Sequence, residues 1–195
     1  VNYDQRLDLT HTYLIIKNNL KKTIKKSGFI VIITSGFIYI MPHHKEIKIL
    51  PHRAKQMFDL VMDVESYPQF LPWCRAAKIT NRFSDNHISA DLVINFKGFS
   101  QKYSSDIRSS KTIDGEFLIS VVAIDGPFKN LVNSWSFKDL SDASINANPS
   151  CITEFMIDFE FRSIILGKMM GLVFEKATNK MIDAFERRAY DKIVK

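Results

Sequence analysis

From residue 75 to residue 161 apolar and polar positions alternate with a period of two, and that period predicts strands. Ile88, Ala90, Leu92, Ile94 and Phe96 alternate with Ser89, Asp91, Val93, Asn95 and Lys97. Gly98 punctuates, and Phe99 to Arg108 forms a second strand. Asp114-Gly115 is a hairpin turn signal, followed by a more apolar strand from Phe117 to Ile124. Asp125-Gly126-Pro127 turns the chain again. Leu131, Asn133, Trp135 and Phe137 share one face of the next strand. After a polar loop, Ser141–Ser150, Phe155, Ile157, Phe159 and Phe161 oppose Glu154, Met156, Asp158 and Glu160. About six consecutive strands with short connections predict an antiparallel meander with one buried face.

The period changes at both ends of this run. Residues 42–50 close in a strand signal, with Ile47 and Ile49 set against Glu46 and Lys48. Pro51 breaks it. Ala54, Met57, Phe58 and Val61 then fall at i, i+3, i+4 and i+7, one face of a helix. Tyr67-Pro-Gln-Phe-Leu-Pro-Trp-Cys74 holds two prolines four apart, which allow only a short helix or turn. Its Tyr67, Phe70, Leu71 and Trp73 are too apolar to be exposed together, so they cover a core or line a mouth. Ile164 to Ile193 lacks proline and carries Met170, Val173, Phe174, Ala177, Met181, Ala184 and Phe185 at helical spacing. Such a helix would be roughly 40–45 Å long and would lay its apolar face across the sheet. Strand, helix and turn, six strands, then a long helix is an α+β order.

Composition narrows the class. The 195 residues are 46% hydrophobic and 25% charged, which excludes a wholly disordered chain. Two cysteines, Cys74 and Cys151, cannot build a disulfide scaffold or a four-cysteine zinc site. The net charge of +6 suggests a polyanionic partner until it is partitioned. Six Lys/Arg and two Asp put +4 in residues 1–40, and only +2 remains for the other 155 residues. That remainder shows no basic stripe of the kind a nucleic-acid-binding fold carries. In the first forty residues a basic stretch, Lys17–Lys26, precedes the apolar run Phe29–Met41. Thirteen residues are too few for a comfortable membrane-spanning helix, which needs roughly 17–25. A leader with a mis-set start, a membrane-surface segment and an export signal are the three expectations for residues 1–41. Residues 42–195 are expected to form the working domain.

No catalytic set can be assembled from motifs. There is no glycine-rich phosphate loop, no His-Glu-x-x-His and no Gly-x-Ser-x-Gly. His43 and His44 point to opposite faces of a strand and suit solvated side chains better than a shared metal. Cys74 and Cys151 suit inert buried thiols. Glu154, Asp158 and Glu160 share a strand face opposite the phenylalanines, where solvent is the simplest expectation. What the chain has in excess is 15 Phe and seven Met. They serve either as plain core or as the lining of an apolar, lipid-sized cavity between sheet and long helix, Met being an adaptable packer. Gly167-Lys-Met-Met-Gly171 adds a close-packing or flexible spot on that helix.

The stretch Asp59-Leu-Val-Met-Asp-Val-Glu-Ser-Tyr-Pro-Gln-Phe-Leu-Pro-Trp-Cys74 resembles the signature of the coenzyme Q-binding START-domain proteins, within the polyketide cyclase/lipid-transport superfamily. Gly126-Pro-Phe-Lys-Asn-Leu-Val-Asn-Ser-Trp-Ser-Phe137 agrees in order, as does Phe159-Glu-Phe-Arg-Ser163 leading to Ala184-Phe-Glu-Arg-Arg188. The resemblance covers about 42–193. It implies a START-like helix-grip fold, a curved antiparallel sheet of about seven strands wrapped around a long C-terminal helix. It implies a non-enzymatic protein of one of two kinds, ahead of a cyclase or hydrolase role known elsewhere in the superfamily. One is a chaperone for ubiquinone or a similar polyprenyl quinone that supports respiration. The other is a bacterial toxin that binds the large ribosomal subunit and blocks subunit association.

The apolar excess and near-neutral body favour the first kind. Alternation and motif position select Trp135, Phe137, Phe155, Phe159, Met170 and Phe174 as tunnel wall, although Phe155 and Phe159 suit ordinary core at least as well. Tyr67, Phe70, Leu71, Pro72 and Trp73 are the expected lid or membrane-facing mouth. The expected ligand is the quinone, with no catalytic cofactor and no metal. Expected partners are that lipid, a transient membrane surface and, in the alternative, the large ribosomal subunit. The expected location is the cytoplasm, peripheral to the inner membrane, or the matrix side in a mitochondrion.

Overall fold

In a computed structural model of the chain, residues 23–26, 29–34, 37–96, 99–140, 149–163, 167 and 174–193 are described. The chain divides into two compact units, Val1–Met41 and Pro42–Lys195. In the first unit β1 (Thr23–Lys26) pairs antiparallel with β2 (Phe29–Thr34), Thr23 lying opposite Ile32 and Lys26 opposite Phe29. The apolar run after residue 28 is therefore strand: Phe29–Thr34 is β2, and β3 (Phe37–Leu50) takes up its remainder. Among the described residues no helix is long and apolar enough to cross a membrane.

The second unit is built on six strands in meander: β4 (Cys74–Ser84), β5 (His87–Phe96), β6 (Phe99–Lys111), β7 (Phe117–Asp125), β8 (Phe128–Asp139) and β9 (Cys151–Phe161). The C-terminal half of β3 closes the order by pairing with β9, giving β3-β9-β8-β7-β6-β5-β4, antiparallel throughout. This is the expected seven-stranded helix-grip sheet. Its inner face is covered by α1 (Ala54–Met62) and α2 (Phe174–Ile193). Most of the predicted first third of the long helix, residues 164–173, lies outside the described residues. The short turn Val64–Gln69 is a 3-10 helix containing Pro68, as the two prolines required.

Register turns the alternation into rows across the inner face. Phe117, Phe137 and Thr153 stand side by side on β7, β8 and β9. The next row is Ile119, Trp135, Phe155 and Glu46, and the one after is Val121, Asn133, Ile157 and His44. Leu131 and Phe159 follow, then Phe128 and Phe161. The first two rows sit under the helices. There Phe137, Met57 and Ile119 are almost wholly buried, and the Trp135 ring lies 4.5 Å from Phe155 and 5.2 Å from Phe185.

β3 alternates as predicted, and Ile47 and Ile49 are its outward residues, 58% and 67% exposed. Glu46 and Lys48 face the helix, because Lys48 makes an ion pair of 2.5 Å with Glu186 on α2 and one of 3.3 Å with Glu46. Across the sheet the acidic face of β9 is not a uniformly solvated one. Asp158 is fully buried, its Oδ1 lying 2.5 Å from Nδ1 of His43. His43 and His44 do take opposite faces, yet both are partly buried and paired, His44 with Glu46 at 3.2 Å, rather than freely solvated.

Local chemistry fixes where the elements start and turn. The first N–H of α1, on Ala54, donates to Oδ1 of Asp139 at the end of β8, 2.8 Å away. A helix-end donor is thereby satisfied by a strand, tying the two elements together. Gly115 and Gly126 adopt φ values of +81° and +117°, which only glycine takes without strain. At Gly126 space is also closed, since a Cβ would lie 2.6 Å from Cβ of Tyr103 and 2.9 Å from the Lys102 carbonyl.

Two outcomes follow. Asp139→Ala should cost about 1 kcal/mol in chemical denaturation through the lost cap. Gly126→Ala should cost about 2–3 kcal/mol by the same measurement, from strained φ plus the clash with Tyr103.

Candidate functional site

Beyond the row of Trp135 the sheet and α2 no longer fill the space between them. A cavity of about 210 Å³ lies there. Its floor comes from the inner rows of the sheet: Leu92 and Ile94 of β5, Tyr103, Ser105 and Ile107 of β6, Val121, Leu131, Ile157, Phe159 and Phe161. Its roof is Ala177, Thr178, Met181 and Phe185 of α2, and its flank is Val61, Val64, Tyr67, Leu71 and Trp73. The cavity separates two packed clusters. The larger lies under α1 and the end of α2, and the smaller is centred on Phe128, Leu131 and Phe159.

Among the described residues no His, Asp, Glu, Lys or Arg lines this space, and no group of three or more His, Cys, Asp or Glu could hold a metal. Its polar groups are few and mostly engaged, as burial demands. Asn133 donates through Nδ2 to the Met156 carbonyl (2.8 Å) and accepts through Oδ1 from the Trp135 indole N–H (3.1 Å). Ser105 donates to the Ala90 carbonyl at 3.3 Å. The Tyr67 hydroxyl donates to the Val61 carbonyl at 2.5 Å, and the Cys74 thiol faces the Ala76 carbonyl at 3.5 Å.

Burial pushes the Cys74 thiol up to about 11, so it is a neutral, unreactive group at physiological pH. Cys151, buried at the other end of the sheet, is pushed up for the same reason. Burial also raises the phenols of Tyr67 and Tyr103 above the ordinary tyrosine range. Tyr103 is partly buried and lines the cavity. Alternation could have found Tyr103, since it shares the inner face with Ser105 and Ile107. The flanking residues Gln101, Lys102 and Ser104 mask it as a polar stretch.

The residues selected from sequence divide between wall and core. Trp135 and Phe159 line the cavity. Phe137 and Phe155 do not: they lie in the packed rows, Phe137 stacked on Trp135 at 5.9 Å and Phe155 beneath α2. Met170 and the side chain of Phe174 lie outside the described residues. Of the expected lid, Tyr67, Leu71 and Trp73 line the cavity, Pro72 is exposed, and Phe70 covers the outside.

The lid is clamped to α2 on that outer side. The Phe185 ring meets Tyr67 edge-on at 5.4 Å and Phe70 at 5.1 Å. Arg188 lies 5.5 Å over the Phe70 ring while its Nη2 donates to Gln69 Oε1 at 2.6 Å. Lys192 pairs with Asp63 at 2.8 Å, and its hydrogen bond holds that carboxyl below the usual range.

Comparison with known proteins agrees with this geometry. The ribosome association toxin RatA of Rickettsia prowazekii (strain Madrid E) is 44% identical over 146 residues, covering 75% of this chain and 94% of that one. The mitochondrial coenzyme Q-binding protein COQ10 homolog B of Xenopus laevis is 28% identical over 148 residues, 75% of this chain and 57% of that one. Among solved structures, the Zhui aromatase/cyclase from Streptomyces sp. R1128 superposes with a TM-score of 0.65 at 14% identity, over 78% of this chain and 96% of that one. Residues 50–186, which carry the lid, the cavity and most of α2, match the polyketide cyclase / dehydrase and lipid transport family, and the chain belongs to that family.

Proposed function

We propose that this protein is a non-catalytic binding module for a neutral apolar molecule of the ubiquinone type. The observation that carries the proposal is the cavity between sheet and α2, lined mostly by apolar groups and by no charged side chain among the described residues. A neutral ring with an apolar side chain loses water on entering and meets no uncompensated charge, so apolar burial drives binding. A fatty-acid carboxylate would find no counter-charge. The volume, about 210 Å³, is below the about 300–1,000 Å³ of sites that enclose drug-sized ligands. It suits a substituted ring and the first units of a tail. The rest of a polyprenyl tail has to leave the cavity, which fits transient visits to a quinone-bearing membrane from the aqueous side, in the cytoplasm or matrix. The relative named as a coenzyme Q-binding protein supports this reading.

The 44% identity to a ribosome association toxin favours a second reading, docking on the large ribosomal subunit. Phosphate contacts dominate such binding, and many basic residues of the body are already paired with acids, as in Lys45–Glu154, Lys102–Asp91 and Lys129–Glu160. The surface that would serve is the edge strand β4, whose exposed residues include Arg75, Lys78 and Arg82.

Solvent extraction of the purified protein followed by mass spectrometry should recover a neutral quinone-type lipid. Protein with no lipid, which also fails to bind a short-chain ubiquinone in fluorescence titration, would overturn the first reading. Val121→Phe, which fills the cavity from its floor, should weaken short-chain ubiquinone by about tenfold or more, ~1.4 kcal/mol. It should leave the thermal midpoint within a few degrees. For the second reading, salt-sensitive co-sedimentation with large ribosomal subunits should be lost in the triple variant Arg75→Glu, Lys78→Glu, Arg82→Glu. Co-sedimentation unchanged by that variant would move the docking surface elsewhere.

A further inference from the structure

The cavity is mostly apolar, and two of its lining side chains, Trp73 on the flank and Tyr103 on the floor, carry a donor without a hydrogen-bond partner among the described residues. The side chains of Asn133, Ser105, Tyr67 and Cys74 each have a partner within the protein. Thr178 is also engaged. The hydroxyl of Tyr103 has no hydrogen-bond partner among the described residues, although its ring lines the cavity. Tyr103 is only partly buried, so its hydroxyl is free to pair with a polar atom of a molecule in that space, and pairing there would recover a hydrogen bond.

Its placement is not accidental packing either. Three features converge on it. The pairing of β6 with β7 slips between Ser104 and Ser105, where Ser104 faces Asp125 but Ser105 faces Ala123, leaving Ile124 as the extra residue of a bulge. Bulges re-aim neighbouring side chains and are frequent beside functional sites. Immediately after the bulge, Gly126 brings its backbone so close to Tyr103 that no other residue fits without displacing it. The Phe128 ring then meets the Tyr103 ring edge-on at 5.4 Å. Backbone and ring are held from three sides while the polar end is left without a partner.

We propose that Tyr103 is the polar anchor of the cavity, its O–H donating a hydrogen bond to a carbonyl oxygen of the bound molecule. The ligand class follows from what is around it. The phenol stays protonated at physiological pH, because burial disfavours its ionised form. It is therefore available as a donor. The Tyr67 hydroxyl and Cys74 thiol on the flank are neutral too, and both already face carbonyls. Among the described residues nothing charged lines the space. The complement is a neutral molecule, mostly apolar, with an acceptor oxygen on its enclosed end: a quinone, ketone or ester rather than a hydrocarbon or a carboxylate. The anchor also sets orientation, placing the carbonyl against β6 and leaving the apolar remainder to Leu131, Ile157 and Phe159. This inference rests on the proposed quinone-type binding and adds the group that selects for a carbonyl.

The test compares two probes of matched apolar size, 2-decyl-1,4-benzoquinone and decylbenzene, on the full chain and on Tyr103→Phe. Phenylalanine keeps the ring and its contact with Phe128, and a thermal melt should show little change. The wild-type protein should bind both probes, the quinone more tightly. Tyr103→Phe should weaken the quinone roughly five- to tenfold and leave decylbenzene unchanged. Infrared difference spectra should show the carbonyl stretch of bound quinone lowered in the wild type and restored towards its hydrocarbon-solvent value in the variant. A merely structural tyrosine would not move that band. An equal loss for both probes, or an unchanged quinone affinity, overturns the anchor while the binding site stands. Failure of the wild type to bind either probe overturns the anchor and the proposed function together.

Discussion

A single helix cannot cover the inner face of a seven-stranded sheet. α2 meets that face closely where Phe185 contacts Trp135 and where Ile182 and Ala189 are buried. α1 adds cover at the same end, fixed there by the Asp139 carboxylate on its first N–H. Further along, a cavity of about 210 Å³ is left between sheet and α2. Interiors elsewhere pack without voids of this size, so the space implies either a ligand or an energetic cost that packing around it has to offset. The two hydrophobic clusters, one on each side of the cavity, supply that packing. Packed core and open space are thus divided along the same strands, residue by residue.

The division explains the lid. The Tyr67–Cys74 segment has to close the flank of the cavity without a regular element, because Pro68 and Pro72 forbid one. Aromatic edges and an arginine from α2 hold it in place, with Phe185 inside and Arg188 and Lys192 at the surface. One helix therefore roofs the cavity with its middle and fastens the lid with its C-terminal half. A residue such as Phe185 belongs to both tasks, since it lines the cavity and contacts Tyr67, Phe70 and Trp135.

Charge tells a matching story. The surplus of basic residues is concentrated before residue 41, and much of the body's basic charge is taken up by pairs across neighbouring strands or between strand and helix. Exposed pairs of this sort contribute little stability each. Their effect here is to weaken the field that these residues project, and separately no charged side chain among the described residues lines the cavity. The edge strand β4, whose exposed residues include Arg75, Lys78 and Arg82, is where residual positive charge remains available for a partner, and those charges also discourage edge-to-edge pairing.

Strand alternation, the Asp114-Gly115 and Asp125-Gly126 turns and the irregular double-proline segment were all legible in the sequence, because they depend on neighbours in the chain. The faces of β3 were not. Ile47 and Ile49 are exposed because Lys48 reaches Glu186, an interaction between residues far apart in sequence. Nor could a shared face separate Trp135 and Phe159, which line the cavity, from Phe137 and Phe155, which are packed core. A period of two names the face of a strand, whereas the position of α1 and α2 above it determines which rows are filled. Tyr103 is the sharpest case. It is an ordinary inward residue by pattern, and only a bulge, a glycine backbone laid against it and an absent partner, all products of strands meeting in space, single it out. The sequence by itself determined the elements and which way most side chains point. Tertiary structure alone decided where the space lies between them, because a void depends on distances between elements that no local period encodes.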